Sequence, residues 1–454
     1  MSAHGSSTPD SNATVDLGIL FAQGKWSAYQ KALTLLAAMA VMFDGFDIQI
    51  LGFAIPSIMR QWHVARGDFA PVLAIGLAGM ALGSPFAGSI GDRFGRRVAL
   101  IGCVLLFGAA TIATAFSQGF TSLAIFRFLT GVGAGGALPN ASTLAAEFAP
   151  LRWRPVAVTF AIVCVPLGGM LGGGVAAAIL PSYGWRVMYL LGGAAPMLLA
   201  FALLMALPES PRFLARHPRR WDELAGLLKK MGHTVPSDAG FEDKLERLAS
   251  GKSSLKALVA KEYLRDTLGL WIAFFACLNG IYLVFGWLPA MLTAQGLDVA
   301  ASSTGLAAYN FGGVIGVVIW SGLVSTLGSR GPMVAGALAG AASALALISL
   351  HIQPAGGHTL LIAGIGLHGL FANAVQTTMY ALAAHIYPAE VRATGTATAA
   401  AIGRTGAILS SFTGAAIIQA GSGAYLSVLA LSLAVGAIGL AVVKNHFRGT
   451  KALG

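Results

Sequence analysis

Apolar residues dominate twelve separate runs of about 20 residues each, and short polar segments separate these runs. An α-helix of that length spans the roughly 30 Å hydrocarbon core of a bilayer, so the pattern predicts twelve membrane-spanning helices. The strands of a membrane β-barrel would alternate apolar and polar residues, which these runs do not do. The predicted spans cover residues 32–56, 71–91, 98–117, 121–147, 156–180, 185–207, 267–291, 303–326, 332–350, 359–386, 394–418 and 423–443.

One long polar segment separates the sixth predicted span from the seventh. Within it, the residues from Asp222 to Met231 place apolar side chains at helical spacing among charged ones, which predicts an amphipathic helix lying on the membrane surface. The first 24 residues of the chain are polar, lack the features of a signal peptide and are expected to be disordered. The chain is thus divided into a cytoplasmic tail, a six-helix bundle, a linker, a second six-helix bundle and a second cytoplasmic tail, with boundaries 1–30, 31–207, 208–266, 267–443 and 444–454.

Composition and charge exclude most other classes of protein. Hydrophobic residues make up 56% of the 454 residues and charged residues only 10%, whereas soluble domains carry about 25% charged residues. The net charge of +11 is not a nucleic-acid signal, because most basic residues lie in loops between apolar runs. Of the 29 Lys and Arg residues, 24 lie on the side of the chain ends, 3 on the other side and 2 inside predicted spans. By the positive-inside rule, both termini therefore lie in the cytoplasm.

The two halves of the chain repeat one another. Residues 145–150 at the end of the fourth span resemble residues 383–388 at the end of the tenth, and Arg154 aligns with Arg392 at the same offset. Repeats of this kind in transporters form a substrate site between two halves that rock against each other. The sequence therefore predicts alternating access around a central site.

Several motifs resemble those of one transporter superfamily. Residues 88–97, Gly-Ser-Ile-Gly-Asp-Arg-Phe-Gly-Arg-Arg, resemble the loop 2–3 signature of the major facilitator superfamily. Residues 208–214, Pro-Glu-Ser-Pro-Arg-Phe-Leu, resemble a motif that follows span 6 in its sugar and organic-ion porters. The Asp-Gly-Phe-Asp element at residues 44–47 is similar to that of its aromatic acid:proton symporter family, and residues 127–131 and 403–406 strengthen this match.

The resemblance implies an all-α major facilitator fold with two pseudo-symmetric six-helix bundles. It also implies a symporter that imports an aromatic carboxylate of the benzoate or hydroxybenzoate type together with protons, across a bacterial inner membrane. The expected partners are the substrate, protons and lipid, without nucleic acid, and the expected state is a monomer. No cofactor, metal ion or enzymatic activity is expected, because the proton gradient supplies the energy. In the second half Thr326 replaces the aspartate of the loop signature, which weakens the case for a second gate.

Two carboxylates in the first predicted span give the strongest functional signal. A charged residue costs roughly 2.5–3.5 kcal/mol at the centre of a membrane helix, and those present usually mark an ion or substrate path. Asp44 and Asp47 are three residues apart and so share a helix face. Counting about 1.5 Å per residue puts Asp47 at the depth of Arg127 in the fourth span, which predicts a buried ion pair with a role either in proton coupling or only in packing. Asp44 has no evident partner at its depth, so we expect it to carry the proton.

Arg404 lies roughly 15 Å into the eleventh span, near the middle of the bilayer. Its planar guanidinium group matches a carboxylate, which predicts that it anchors the substrate. A buried arginine paired with backbone carbonyls is the alternative. An aromatic acid also needs a flat apolar slot with a few hydrogen-bonding groups. The candidates for this slot, each of which could instead be a packing residue, are Tyr309, Asn310, Trp287, Gln376 and Asn373.

Charged residues at the predicted cytoplasmic end of the first half form a second candidate group. Glu147 ends the fourth span close to the basic loop 2–3, so that pairing between them would latch the cytoplasmic side in the outward-open state. His385 occupies the repeat position of Glu147 and is expected to pack, to join a second latch or to titrate near neutral pH. The predicted gate residues are Gly88, Asp92, Arg93, Gly95, Arg96, Arg97, Glu147 and Arg392.

Two other functions remain open at the level of sequence. The motif at residues 208–214 alone also fits a porter of sugars, organic cations or aliphatic carboxylates. A membrane sensor of aromatic acids is a further alternative, although the 59-residue linker and short C-terminus leave little room for a signalling domain. The favoured mechanism assigns proton handling to the acidic pair of the first half and substrate anchoring to Arg404 of the second.

Overall fold

The computed structural model describes residues 14–236, 240–243, 258–350 and 358–449. Its first part contains β1 (Thr14–Asp16), α1 (Leu17–Gln23), α2 (Ala28–Trp62), α3 (Ala70–Phe94), α4 (Arg96–Thr114), α5 (Phe120–Phe148) and α6 (Arg154–Ala206). The linker contains α7 (Pro211–Ala215), α8 (Trp221–Met231) and β2 (Gly240–Glu242). The second half contains α9 (Leu264–Ala294), α10 (Val299–Leu327), α11 (Arg330–Ser349), α12 (Thr359–Ile386), α13 (Ala389–Gln419) and α14 (Ser422–Val442).

Eleven helices in the described part of the chain are long and apolar enough to cross a membrane. The longest, α6, is interrupted at Gly184, whose φ of 74° lies in the left-handed region that glycine adopts without strain. This break divides α6 into two spans. The predicted all-α architecture of twelve spans is therefore confirmed, with helix ends at most six residues from the predicted span boundaries.

The spans form two bundles, α2–α6 and α9–α14, whose helices approach closely at glycines. In the first bundle α3 packs on α5, and a Cβ at Gly131 would overlap the carbonyl oxygen of Gly76. In the second, α10 packs on α12, and a Cβ at Gly369 would overlap the carbonyl oxygen of Tyr309. Small residues allow such contacts in lipid, where packing rather than the hydrophobic effect holds helices together. Gly131 and Gly369 occupy corresponding places in the two halves, as the repeat requires.

The N-terminal tail and the linker fold together at one end of the first bundle, which we call the linker face. The strands β1 and β2 pair in parallel, with Thr14 opposite Gly240. The side chains of Leu17 and Phe21 on α1 are buried in one cluster with Leu224 and Leu228 on α8.

Two sequence-based expectations are therefore wrong. Residues 14–23 form a strand and a helix rather than disordered chain, while residues 1–13 lie outside the described residues. The amphipathic helix α8 buries its apolar face against α1 and the first bundle instead of the membrane surface. An amphipathic pattern shows that one face is buried but does not identify what covers it.

The two bundles meet near the end of the molecule opposite the linker face. There α2 packs on α9, α3 on α13 and α6 on α10. A Cβ at Gly52 would overlap the carbonyl oxygen of Phe285, and one at Gly173 would lie 2.5 Å from the Cβ of Ala307. A short turn at Arg66–Phe69 also packs on α13. The interface between the halves thus closes the side away from the linker.

Candidate functional site

The buried ion pair predicted from depth is present between α2 and α5. Arg127 Nη1 lies 3.2 Å from Asp47 Oδ2, and Arg127 Nη2 donates to the backbone oxygen of Asp47 at 3.2 Å. Thr111 on α4 donates from Oγ1 to Asp47 Oδ1 at 2.6 Å. All three side chains are buried. The Asp47 carboxylate is therefore neutralised and hydrogen-bonded within the first bundle. Thr111 was missed by sequence reasoning, because one threonine in an apolar run carries no distinctive signal.

Asp44 is buried one helical turn away from Asp47, and its carboxyl group has fewer hydrogen-bond partners than that of Asp47. Its Oδ1 accepts no hydrogen bond from the described residues. The charges of Asp47 and of Arg404 both act on the Asp44 carboxylate. Depth counting had left Asp44 without a partner, and the structure brings Arg404 of the other bundle within electrostatic range.

Arg404 lies on α13 and is partly buried. The glycines at 403 and 406 let this helix pack tightly on α9, since a Cβ at Gly406 would overlap the carbonyl oxygen of Phe275. Electrostatic interactions link the guanidinium group to Asp44, Tyr282 and Tyr380. Arg404 forms no ion pair or hydrogen bond with the residues that the structure describes, so its donors remain available to a ligand. Tyr380 was not singled out in the sequence.

A central cavity of about 30 Å³ lies between the bundles. Asp47 and Arg127 line it from the first bundle, and Tyr282, Trp287 and Ser411 line it from the second. This volume holds one or two water molecules, which need roughly 10–15 Å³ each on this measure. An aromatic acid does not fit this cavity, and neither Asp44 nor Arg404 is among its lining residues.

The structure separates the five residues predicted to form the substrate slot. Trp287 lines the central cavity, and its Nε1 has no hydrogen-bond partner among the described residues. Gln376 is partly buried on α12. Asn310 is fully buried and bonded to Gln49.

Two of the five candidates belong to packing inside the second bundle. Tyr309 lines a small apolar cavity there, with its ring 5.9 Å from that of His368. Asn373 donates to the backbone oxygen of Gly369 at 3.0 Å. In this structure Tyr309 and Asn373 therefore pack within the second bundle, and their place in the substrate slot stays a prediction. Their helices are buried on several sides, and sequence position does not reveal which side faces the central cavity.

The gate residues of loop 2–3 are held by the first bundle and the start of the linker. Arg96 pairs with Asp92 and donates to Asn140 Oδ1 at 3.3 Å. Gly95 has a φ of 106°, and the Glu209 carboxylate occupies the space that a Cβ there would need. Glu209 Oε1 in turn accepts from the backbone nitrogen of Arg97 at 3.1 Å. The loop signature and the motif at 208–214 thus form one interlocked unit.

Of the other predicted gate residues, Glu147 contacts this unit and Arg392 lies in the second bundle. Glu147 accepts a hydrogen bond from the Ser210 hydroxyl group, so the linker motif holds it at the linker face. Arg93 is exposed, and a Cβ at Gly88 would meet only open space. Arg392 donates to the backbone oxygen of Tyr387 at 3.4 Å within the second bundle. Glu209, Ser210 and Asn140 were not predicted as gate residues.

The second bundle has a different structure at its corresponding end, where α11 begins. Residues 443–449, which we call the C-terminal strap, pack on the start of α11 where the loop signature is degraded. Ser329 Oγ lies 2.8 Å from His446 Nδ1 and accepts from the Phe447 backbone nitrogen at 3.2 Å. The His385 ring packs edge-on against Phe447 at 5.4 Å. His385 is thus a packing residue of the strap.

Burial lowers the pKa of His446 below its ordinary value of 6.5, and the positive charge of Arg330 acts in the same direction. The hydrogen bond between His446 Nε2 and the Leu440 carbonyl, at 3.0 Å, raises the pKa of His446 by a smaller amount. The strap therefore favours the neutral imidazole.

Known proteins with similar sequences are transporters. A gallate transporter of Pseudomonas putida is 34% identical over 437 residues, covering 96% of this chain and 96% of that protein. A 4-hydroxybenzoate transporter of the same species is 33% identical, covering 90% of each. A benzoate transport protein of Acinetobacter baylyi is 28% identical, covering 87% of this chain and 85% of that protein.

Solved structures show the same fold. The inward-open conformation of the xylose transporter XylE from Escherichia coli matches with a TM-score of 0.72, covering 93% of this chain and 98% of that one. A partially occluded inward-open conformation of the same transporter matches with a TM-score of 0.71. The sequence identities are 18% and 20%, so the likeness concerns the fold alone.

A family model agrees with the fold and with the motifs. The model described as Major Facilitator Superfamily matches residues 37–357 and, in a second match, residues 270–451. Together with the twelve spans, the two-bundle repeat and the relatives that carry aromatic acids, this confirms the resemblance seen in the motifs. The chain belongs to the major facilitator superfamily.

Proposed function

We propose that the protein is a proton-coupled symporter that imports an aromatic carboxylate by alternating access. The observation that carries this proposal is the electrostatic interaction between Asp44 on α2 and Arg404 on α13, which belong to different bundles and form no ion pair with each other. The transporters of gallate, 4-hydroxybenzoate and benzoate among its relatives support the class of substrate.

Arg404 is the anchor for the substrate carboxylate in this proposal. A guanidinium group binds a carboxylate through two parallel hydrogen bonds, which gives both affinity and orientation. The rings of Tyr282 and Tyr380 lie within electrostatic range of Arg404 and offer apolar surface for an aromatic ring. Substrate binding would neutralise the positive charge of Arg404, which acts on Asp44 in the unliganded state.

Asp44 is the proton carrier in this proposal, while Asp47 serves as a fixed partner of Arg127. Burial away from water favours the neutral form of a carboxyl group, and a nearby cation favours the charged form. A substrate carboxylate on Arg404 would remove that cation's influence and so favour a proton on Asp44. Substrate and proton binding would then support one another.

Electrical work gives a physical reason for symport. Moving one negative charge inward against 100 mV costs about 2.3 kcal/mol. One accompanying proton cancels this cost, and a second makes entry electrically favourable.

We further propose that the linker face lies in the cytoplasm of a bacterial inner membrane, with both termini on that side. The excess of basic residues on that side supports this orientation. The state described here is then closed to the outside. The protein needs no cofactor, acts as a monomer and catalyses no reaction in this proposal.

Uptake by purified protein in liposomes tests the function. We expect an inwardly directed pH gradient to drive accumulation of a benzoate-type acid, with competition from other aromatic carboxylates. A sugar and an aliphatic dicarboxylate serve as controls and should neither accumulate nor compete. Failure of every aromatic acid to accumulate, or preferential uptake of either control, would reject the proposal.

A further inference from the structure

A reciprocal pair of side-chain amides joins the two bundles beside the acidic segment of α2. Gln49 Nε2 donates to Asn310 Oδ1 at 3.2 Å, and Asn310 Nδ2 donates to Gln49 Oε1 at 2.7 Å. Both side chains are fully buried. Besides this pair, the Tyr282 hydroxyl reaches from the second bundle to the Met80 sulfur at 3.9 Å, a weak interaction. The amide pair is therefore a strong and directional link between the halves.

Each amide is also tied to its own helix. Gln49 Nε2 lies 3.4 Å from the carbonyl oxygen of Gly45, which stands between the two aspartates. Asn310 Nδ2 donates to the carbonyl oxygen of Leu306 at 2.8 Å. These hydrogen bonds therefore connect α10 to the turn of α2 that carries Asp44 and Asp47.

A third helix leaves space for this pair. A Cβ at Gly169 on α6 would overlap the Gln49 amide nitrogen and lie 2.7 Å from Asn310 Oδ1. Five residues further along the same helix, a Cβ at Gly174 would have no atom within 4 Å. Glycine at 169 is therefore required by the amide pair, whereas glycine at 174 is not required by its surroundings.

We propose that Gln49 and Asn310 are positioning residues, which fix the acidic segment of α2 relative to the second bundle while the outer side is closed. This inference rests on the proposed function for its transport readout, but not for its conformational readout. In this proposal the pair acts by holding the helices in place and binds neither substrate nor proton. It sets the separation of Asp44 from Arg404, on which the coupling of proton and substrate depends.

Substitutions distinguish positioning from simple packing. Gln49→Leu or Asn310→Leu leaves one buried amide without a partner, and we expect transport efficiency to fall about tenfold. The double variant Gln49→Asn with Asn310→Gln keeps a reciprocal amide pair of the same total length. Its transport efficiency should therefore be close to that of the wild type. The double variant Gln49→Leu with Asn310→Leu leaves no amide unsatisfied, so its thermal stability should approach that of the wild type.

The double-leucine variant gives the decisive comparison. If the pair positions the acidic segment, this variant folds but shows a shifted pH profile of uptake and a lower maximal rate. Spin labels at Ala65 and Ala294, on opposite bundles, should then report a wider distance distribution without any substrate. A wild-type distance distribution in this variant would by itself overturn the proposal.

Gly169→Ala and its control Gly174→Ala provide an independent test if the double variant does not fold. Gly169→Ala should widen the label distances and reduce uptake, while Gly174→Ala should leave both unchanged. A wild-type result for Gly169→Ala would contradict the proposal. Because the distances require no substrate, they decide this inference even if no aromatic acid proves to be transported.

Discussion

Asp44 of the first bundle and Arg404 of the second lie within electrostatic range of each other without forming an ion pair. Asp47, one turn away, is by contrast fully engaged by Arg127 and Thr111. The two aspartates of one motif therefore have different environments. The following predictions depend on that difference and on the structure of the linker face.

Replacement of Asp44 should uncouple transport from the proton gradient. We expect Asp44→Asn to fold normally, because no ion pair is broken, and to lose accumulation driven by a pH gradient. Exchange of labelled for unlabelled substrate, which needs no net proton movement, should persist. Uptake and exchange in liposomes measure both; normal accumulation by this variant would remove Asp44 from proton coupling.

Replacement of Asp47 should mainly reduce stability. Asp47→Asn leaves the buried guanidinium of Arg127 without its counter-charge, which costs about 3–5 kcal/mol in comparable sites. Thr111→Val removes only the hydrogen bond to the carboxylate and should cost about 1.5–3 kcal/mol. Thermal unfolding in detergent should rank the wild type above Thr111→Val and both above Asp47→Asn. Equal stability of all three would show that the pair does not hold the bundle.

Replacement of Arg404 should affect binding of the carboxylate group in particular. We expect Arg404→Ala to weaken binding of an aromatic acid at least about tenfold, because a charge-assisted contact is lost. Arg404→Lys keeps the charge but not the planar fork, and should give an intermediate affinity. Calorimetry measures the binding affinity of each variant for the acid, and the neutral amide of the acid serves as a ligand without the carboxylate charge. Unchanged affinity for the acid in Arg404→Ala would exclude the residue from the site.

Docking of the C-terminal strap should weaken in acid. Since burial lowers the pKa of His446 in the docked state, docking favours the neutral imidazole. The contribution of His446 is therefore complete above its ordinary pKa of 6.5, and it is lost as the pH falls from that value through the lowered pKa of the docked state. Asp266 and His385 also face this histidine, and their interactions with it have opposite signs.

Hydrogen exchange measures this pH dependence directly. The backbone amides of Lys444 and Phe447 donate to Asp266 Oδ1 and Ser329 Oγ, so they should be protected at pH 7.5 and exchange faster at pH 5.5, after correction for intrinsic rates. His446→Gln should remove the pH dependence. Protection that does not change with pH in the wild type would contradict the prediction.

Replacement of Gly95 should disrupt the linker face of the first bundle. An alanine there is strained at a φ of 106° and a ψ of 148° and displaces the Glu209 carboxylate, so we expect a loss of about 1–3 kcal/mol from strain alone. Gly102→Ala on α4 is the matched control, because its Cβ meets open space and its backbone is helical. Thermal unfolding and uptake should change only for Gly95→Ala. Wild-type behaviour of that variant would show that loop 2–3 adapts without cost.

Much of the fold and part of the candidate site were predictable from sequence. The apolar runs gave the spans, and the regular rise of a helix gave the depth at which Asp47 meets Arg127. The partners of Asp44 and of Glu147 were not predictable in this way. Arg404 lies on a different bundle from Asp44, and the Ser210 hydroxyl reaches Glu147 from a linker whose path no periodicity describes.

By itself the sequence determined the number of spans and the matching depths of Asp47 and Arg127, because bilayer thickness and helix rise leave little freedom in these quantities. Only the tertiary structure decided which side of each helix faces the central cavity. It separated Trp287, which lines that cavity, from Tyr309, which packs inside the second bundle, and it joined Gln49 to Asn310. The physical reason is that lipid and the bundle interior are equally apolar, so hydrophobic periodicity does not distinguish a side chain facing lipid from one facing protein.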